Sequence, residues 1–143
     1  MNIFRILYDL RSFLFIFAIV MTHKDHHVII SLASNYHQEA ALAAAREQLT
    51  QLLSEVRFTP AIWTEPINTI RKEPYLNQLC EGTTALGEGL LGEVLKETER
   101  RLGRTHNEDG IVALDLDLLE YDGQRFHLRD WDRSYVKDLI SEL

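Results

Sequence analysis

The sequence predicts an α+β domain of the ferredoxin-like kind, an antiparallel sheet in βαββαβ order with helices on one face. Three observations carry this. Short β-branched or aliphatic runs alternate with two longer segments of helical period, in the order strand, helix, strand, strand, helix, strand. The run Gly110-Ile-Val-Ala-Leu-Asp-Leu-Asp-Leu-Leu-Glu-Tyr121 sorts into two faces under the two-residue period of a strand. Val112, Leu114, Leu116 and Leu118 make one of those faces wholly aliphatic, which suits a core. Finally, 143 residues are enough for one domain with a real core and too few for two.

The elements follow in order. Residues 1–20 stand apart: Arg5 and Arg11 precede the apolar run Phe13–Val20. This has the charge and apolar regions of a signal peptide without a small-residue cleavage site, and the run is short of the ~20 residues a bilayer span needs. Met21 opens a hydrophilic stretch, so the expectation is an over-extended start with Met21 as the true first residue. A short membrane anchor is the second choice, and either way the domain is expected over 21–143. His27–Ala33 is the first strand, and Asn35 is expected to cap the helix Gln38–Ser54. That helix puts Leu42, Ala45, Leu49, Leu52 and Leu53 on one face. Val56–Thr64 is a second strand, broken by Pro60, which suits a sheet edge or a bulge. A polar connection with a proline near each end, 65–74, leads to the third strand, Tyr75–Glu81. Thr83–Gly87 links to the helix Glu88–Leu102, with Leu91, Val94, Leu95, Thr98 and Leu102 inward and Gly103 as its stop. A polar loop, Arg104–Asp109, precedes the two-aspartate strand. The turn Asp122-Gly123, a short strand Arg125–Leu128 and a terminal helix Trp131–Leu143 close the chain, with Tyr135, Val136, Leu139 and Ile140 inward.

Charge and chemistry narrow the function. The formal net charge of −7, from 15 basic and 22 acidic residues, argues against a general nucleic-acid binder, though a local phosphate pocket is compatible with it. One cysteine, Cys80, permits no internal disulfide and points to a reducing cytoplasm. Its place in a strand suits a buried filler better than a nucleophile. His37, His106 and His127 are too scattered for a transition-metal site, and the His23/His26/His27 group sits at a chain end. Asp115 and Asp117 share a strand face, roughly 6.5–7 Å apart along the strand. Two like charges so close on an apolar strand are costly without a counter-charge between them. Magnesium carried in by a nucleotide phosphate would supply it. The alternative is that both carboxylates face water on a half-exposed strand. With helices on one face only, the aspartate face is expected to be free for a ligand.

Four patches resemble 6-hydroxymethyl-7,8-dihydropterin pyrophosphokinases, the folate-pathway enzymes that move pyrophosphate from ATP to a pterin alcohol. Ile29-Ile-Ser-Leu-Ala-Ser-Asn35 is similar to the family's strand ending in Gly-Ser-Asn. Trp63-Thr64-Glu-Pro66 followed by Pro74-Tyr75-Leu76-Asn77 is similar to its Arg-Thr-x-Pro…Tyr-Leu-Asn pattern. Glu99 with Gly103-Arg104 is similar to Glu-x-x-x-Gly-Arg, and Leu114-Asp115-Leu116-Asp117 to its Asp-Leu-Asp strand. Arg133-Ser-Tyr135 more weakly resembles Arg-Gly-Phe.

The resemblance implies a ferredoxin-like fold, ATP and a pterin as ligands, and two Mg²⁺ ions held with ATP by Asp115 and Asp117. It implies that Thr64 and Asn77 hydrogen-bond the pterin and that Tyr75 and Tyr135 lie against its two faces. Glu99, Arg104 and Arg133 would belong to the nucleotide site, with Arg104 facing phosphate. Phosphoryl-type transfer asks for positioning and charge neutralisation rather than a covalent nucleophile, which fits these residue types. Each also has a plainer reading: Tyr75 a strand aromatic, Asn77 a loop cap, Glu99 a solvated helix residue, Arg104 a helix-end charge and Trp63 a packing residue. The chain also departs from the family. Thr105–Val112 is shorter than the family's Trp-Gly-Pro-Arg-like segment and has no Arg, Trp or Pro. Ala33 replaces the Gly of Gly-Ser-Asn, and the family's Pro-His has only His127 as a candidate counterpart. A catalytically impaired relative that binds a nucleotide, a pterin or a protein partner is therefore the second reading. Oligomeric state is not legible in the sequence.

Overall fold

The computed structural model describes residues 25–66, 70–103 and 109–143. The expectations for 1–20 and for Arg104 lie outside the described residues. The elements are β1 (His26–Ser34), α1 (Gln38–Leu52), β2 (Ser54–Phe58), β3 (Ile62–Thr64), β4 (Tyr75–Thr84), α2 (Glu88–Arg101), β5 (Asp115–Tyr121), β6 (Gln124–Arg125), α3 (Leu128–Trp131) and α4 (Ser134–Ile140). The six strands form one sheet in the order β2-β4-β1-β5-β6, with β3 also on β4, and every described pairing is antiparallel. This is the expected α+β arrangement. None of the described helices is long and apolar enough to cross a membrane.

Alternation along the strands builds two cores. Val28, Ile30 and Leu32 of β1, Leu76 and Cys80 of β4, and Leu114 and Leu116 pack against Leu42, Ala45 and Leu49 of α1 and Leu91 and Leu95 of α2. The out-of-phase residues Ile29, Leu79 and Leu119 meet Val136 and Leu139 of α4 on the other face. The second face is therefore not left open along its length: the C-terminal arm covers one end of it, because α4 carries its own apolar stripe. The expected single terminal helix is two short ones, α3 and α4, separated at Asp132 and Arg133.

Local chemistry explains the other differences. The second strand is broken at Thr59-Pro60-Ala61 into β2 and β3, each pairing with a different part of β4 at the sheet edge. The aspartate strand begins at Asp115, not Gly110, and Val112 is only half-buried. A bulge lies opposite Ile29/Ile30, where the β1 register passes from Leu118 to Glu120 and leaves Leu119 as the extra residue. The bulge turns Tyr121, which strict alternation would put with the aspartates, towards the first core, where its hydroxyl donates to the Leu86 carbonyl at 2.9 Å. Asn35 does not cap α1. The N-cap is His37, in left-handed backbone with no side-chain cap bond. Asn35 is instead 1% exposed and clamps the segment that feeds β5. Its Nδ2 donates to the Gly110 carbonyl (2.9 Å), and its Oδ1 accepts from the Val112 N–H (2.6 Å). Its own N–H donates to the Val112 carbonyl at 2.9 Å.

Candidate active site

Strand register collects the candidate residues on the second face. Ile62, Asn77, Ala33 and Asp115 lie in one row across β3, β4, β1 and β5, and Leu79, Ser31 and Asp117 lie in the next across β4, β1 and β5. Thr64 sits opposite Tyr75 beyond the first row. With strands about 4.8 Å apart, Asn77 and Asp115 stand roughly 10 Å apart across β1. Ala33 and Ser31 are the small side chains between them, so the row forms a shallow floor with polar groups at both ends.

At the β4 end, Asn77 is 4% exposed, and its Nδ2 donates to the Thr64 hydroxyl at 2.8 Å. Longer contacts of 3.4 Å run from the same nitrogen to the Ile62 and Tyr75 carbonyls. All of these use the amide nitrogen, which leaves the Oδ1 carbonyl to accept from an incoming N–H. Thr64 and Asn77 thus act as one polar unit. Tyr75 is half-buried beside them. Burial and the negative charge of Asp115 raise its phenol pKa, against the lowering influence of Arg133. Tyr75 therefore lies within electrostatic reach of both the aspartate pair and the C-terminal arm.

At the β5 end, burial and then the Asp115 charge push the Asp117 carboxyl up to about 7. A hydrogen bond with Asp115 and the charge of Glu99 add to the rise, and His127 pulls against it. The pair is thus unwilling to hold two negative charges on its own. The C-terminal arm brings in groups whose place the sequence did not reveal. His127 Nε2 is 3.8 Å from Asp117 Oδ1, and Asp130 joins them, with one ligand atom from each of the three within 4.8 Å of the others. Arg133 Nε is 3.2 Å from Asp130 Oδ1. Tyr135 is bonded to Arg133, and burial raises its phenol pKa, with Asp130 and Asp117 adding to the rise. The signal for these neighbours was the spacing His127-x-x-Asp130, which puts both on one side of a helical turn. Only the docking of that turn on β5 gives the spacing meaning.

Glu99 differs from the sequence reading of a solvated helix residue. It is 5% exposed on the β5-facing side of α2, and its Oε1 accepts the Leu116 N–H at 2.8 Å. A buried carboxylate is thus aimed at the backbone of the aspartate strand from the helix side. Trp63, read as a packing residue, is 52% exposed at the sheet edge. Cys80 is buried in the first core, where desolvation and the Glu81 charge push its thiol up to about 12, away from nucleophilic chemistry.

A family model described as 7,8-dihydro-6-hydroxymethylpterin-pyrophosphokinase matches residues 29–143. The chain is also 30% identical over 132 residues to a folate synthesis bifunctional protein of Arabidopsis thaliana. That match covers 84% of this chain and 27% of the relative, so the chain spans about a quarter of that longer protein.

Proposed function

The chain belongs to the 7,8-dihydro-6-hydroxymethylpterin-pyrophosphokinase family, and on that premise we propose that it transfers the pyrophosphoryl group of ATP to the hydroxymethyl oxygen of 6-hydroxymethyl-7,8-dihydropterin, releasing AMP. The observation that carries this is the arrangement of one sheet face: an amide–hydroxyl unit and a tyrosine at one end, paired carboxylates at the other. Asn77 and Thr64 read the donor and acceptor edge of the pterin, while Tyr75 and Tyr135 cover its two sides. Arg133 faces the nucleotide, as does Arg104 in this reading, and Glu99 holds β5 from behind.

The donor set suits Mg²⁺. Asp115 and Asp117 offer hard oxygen atoms, and their mutual repulsion and burial are relieved by a cation. When bound with ATP, such ions supply charge neutralisation along the phosphates. The residues themselves bring the pterin hydroxymethyl group towards the aspartates over the small floor of Ala33 and Ser31 and keep it oriented there. Residues 21–143 form the catalytic domain in this reading, residues 1–20 lie outside it, and the setting is cytoplasmic.

The test is calorimetric titration with MgATP and with the hydroxymethylpterin, followed by a coupled assay for AMP. AMP release that requires both ligands supports transfer. One feature favours the second reading, a relative that binds without transferring: the stretch Thr105–Val112 has no arginine and carries Glu108 and Asp109. A missing charge-stabilising donor at the transferring group costs about 10²–10³ in rate. Binding of both ligands with no AMP would decide for that reading, and binding of neither would leave only its protein-partner form.

A further inference from the structure

We propose that Gln78, on the helix side of the sheet, is a positioning residue for the pterin: it holds a one-residue bulge that turns Thr64 onto the ligand face. That the ligand is a pterin rests on the proposed function; the bulge itself does not. Phe58 pairs with Cys80 and Ile62 with Asn77. Thr59, Pro60 and Ala61 therefore face only Gln78 and Leu79 of β4, and the extra residue makes a bulge. The bulge exchanges faces. Val56 and Phe58 pack on the first core, and an unbroken two-residue period would send Ile62 and Thr64 to the same side. Instead Ile62 packs on the second core, and the Thr64 hydroxyl meets the Asn77 amide at 2.8 Å. Without the bulge that hydroxyl would point to the helix side, and the amide–hydroxyl unit would not exist.

The bulge disturbs one ladder pair, and side chains repair it. The Thr59 N–H donates to the Leu79 carbonyl at 3.0 Å, as in a regular antiparallel pair. The return bond, from the Leu79 N–H to the Thr59 carbonyl, is replaced. The Leu79 N–H donates instead to the Thr59 hydroxyl at 3.0 Å, and that hydroxyl donates to the Pro60 carbonyl at 2.9 Å. The Thr59 carbonyl accepts from Gln78 Nε2 at 2.6 Å. Gln78 is 6% exposed and Thr59 3%, so water is a poor substitute for either partner. Pro60 brings no N–H to be left unpaired. Arg46 of α1 orients the Gln78 amide: its Nη1 donates to Gln78 Oε1 at 3.0 Å, which turns Nε2 towards Thr59. Leu76 and Cys80, on the same side of β4, are apolar and buried in the first core. A glutamine between them is costly to bury unless its amide is used, and here both of its ends are used.

The experiment uses the full chain and measures 6-hydroxymethyl-7,8-dihydropterin affinity by fluorescence titration and MgATP affinity by calorimetry. Gln78→Glu keeps the acceptor for Arg46 and loses the donor to Thr59, while Gln78→Met loses both. Thr59→Val keeps the shape and loses the hydroxyl that serves Leu79. Each should weaken the pterin at least about fivefold, the worth of one net hydrogen bond, and change MgATP affinity by less than about twofold. Thr59→Ser restores the hydroxyl and should bind the pterin within about twofold of the parent. A merely structural role would weaken both ligands together. In proton spectra of the unaltered chain, short-range contacts should join the Gln78 side-chain amide to Thr59 and the Asn77 side-chain amide to the Thr64 methyl. Because these are read on the unaltered chain, a variant that fails to fold does not blunt the test. The proposal is overturned by absence of those contacts, by equal losses for both ligands, or by pterin affinity unchanged in the three weakening variants. A parent chain that binds MgATP and no pterin removes the proposed function and the pterin role with it, whereas a parent that binds both and variants that match it remove the inference alone.

Discussion

Replacing Asn35 with alanine should destabilise the whole domain, because this side chain ties two parts of the chain that are far apart in sequence. Its Nδ2 holds the Gly110 carbonyl at 2.9 Å and its Oδ1 holds the Val112 N–H at 2.6 Å, with the residue 1% exposed. Each bond contributes about 1 kcal/mol net, and a buried partner left unpaired costs about 1–3 kcal/mol. Val112 is half-buried, so water can recover part of that loss at its N–H. The third bond, from the Asn35 N–H to the Val112 carbonyl, belongs to the backbone and survives. The expected loss is about 2–4 kcal/mol, read as a lower urea midpoint at unchanged slope. For a chain of this size that corresponds to a Tm lower by roughly 8–15 °C. Asn35→Asp keeps the acceptor for Val112 but sets a second acceptor against the Gly110 carbonyl, so it should do no better than alanine. Hydrogen exchange at the Val112 amide should quicken in Asn35→Ala, where its acceptor is gone. A loss under about 1 kcal/mol in Asn35→Ala would show that the 110–112 segment is held by something else, and the argument for the clamp would fall.

Other outcomes follow from the same geometry. The folded Asp117 carboxyl keeps its proton up to about 7, the unfolded one only to about 4. Between these values the folded state binds more protons, so this group's contribution is full below about pH 4 and is lost as pH rises through 7. In metal-free buffer, Asp117→Asn should therefore flatten the urea midpoint against pH over that window, and an identical profile in parent and variant contradicts the assignment. Asp115→Ala and Asp117→Ala should each abolish calorimetric binding of MgATP, and parent-like affinity in either removes the metal role. Asn77→Ala should weaken the pterin at least tenfold and lower stability by about 1–2 kcal/mol through the lost bond to Thr64 (2.8 Å). Pterin affinity unchanged by fluorescence titration would remove Asn77 from the site. Trp63→Ala, at a position 52% exposed, should cost under about 1 kcal/mol in urea unfolding. A larger loss would restore its reading as a packing residue.

Much of this was legible because the signals were periodic. Leu42, Ala45 and Leu49 lie on one side of α1, and Leu91, Val94, Leu95 and Thr98 on one side of α2, as their spacing requires. Pro60 marked the break between β2 and β3, since a proline cannot donate to a ladder. The same-face placement of Asp115 and Asp117 followed from the two-residue period, and their register with Ala33 and Ser31 preserves it. The bulge at Leu119 was not legible, because its cause is a mismatch with β1 and not a residue in β5. Nor was the role of Asn35, whose partners are more than seventy positions away. Glu99 illustrates the same limit: helical spacing put it beside Thr98, but only the packing of α2 on β5 aims its carboxylate at the Leu116 N–H.

The amino-acid order by itself determined which residues share a strand or helix face, because side-chain direction within one element depends only on local backbone geometry. That was enough to put the two aspartates on one strand face and to sort the apolar residues of both long helices onto one side. What only the tertiary structure decided is which faces meet. The arm carrying His127, Asp130, Arg133 and Tyr135 comes to rest beside Asp117 because Val136 and Leu139 find Ile29, Leu79 and Leu119 to bury against. Such a contact is set by apolar surface matched between distant segments, and no local pattern in either segment states it.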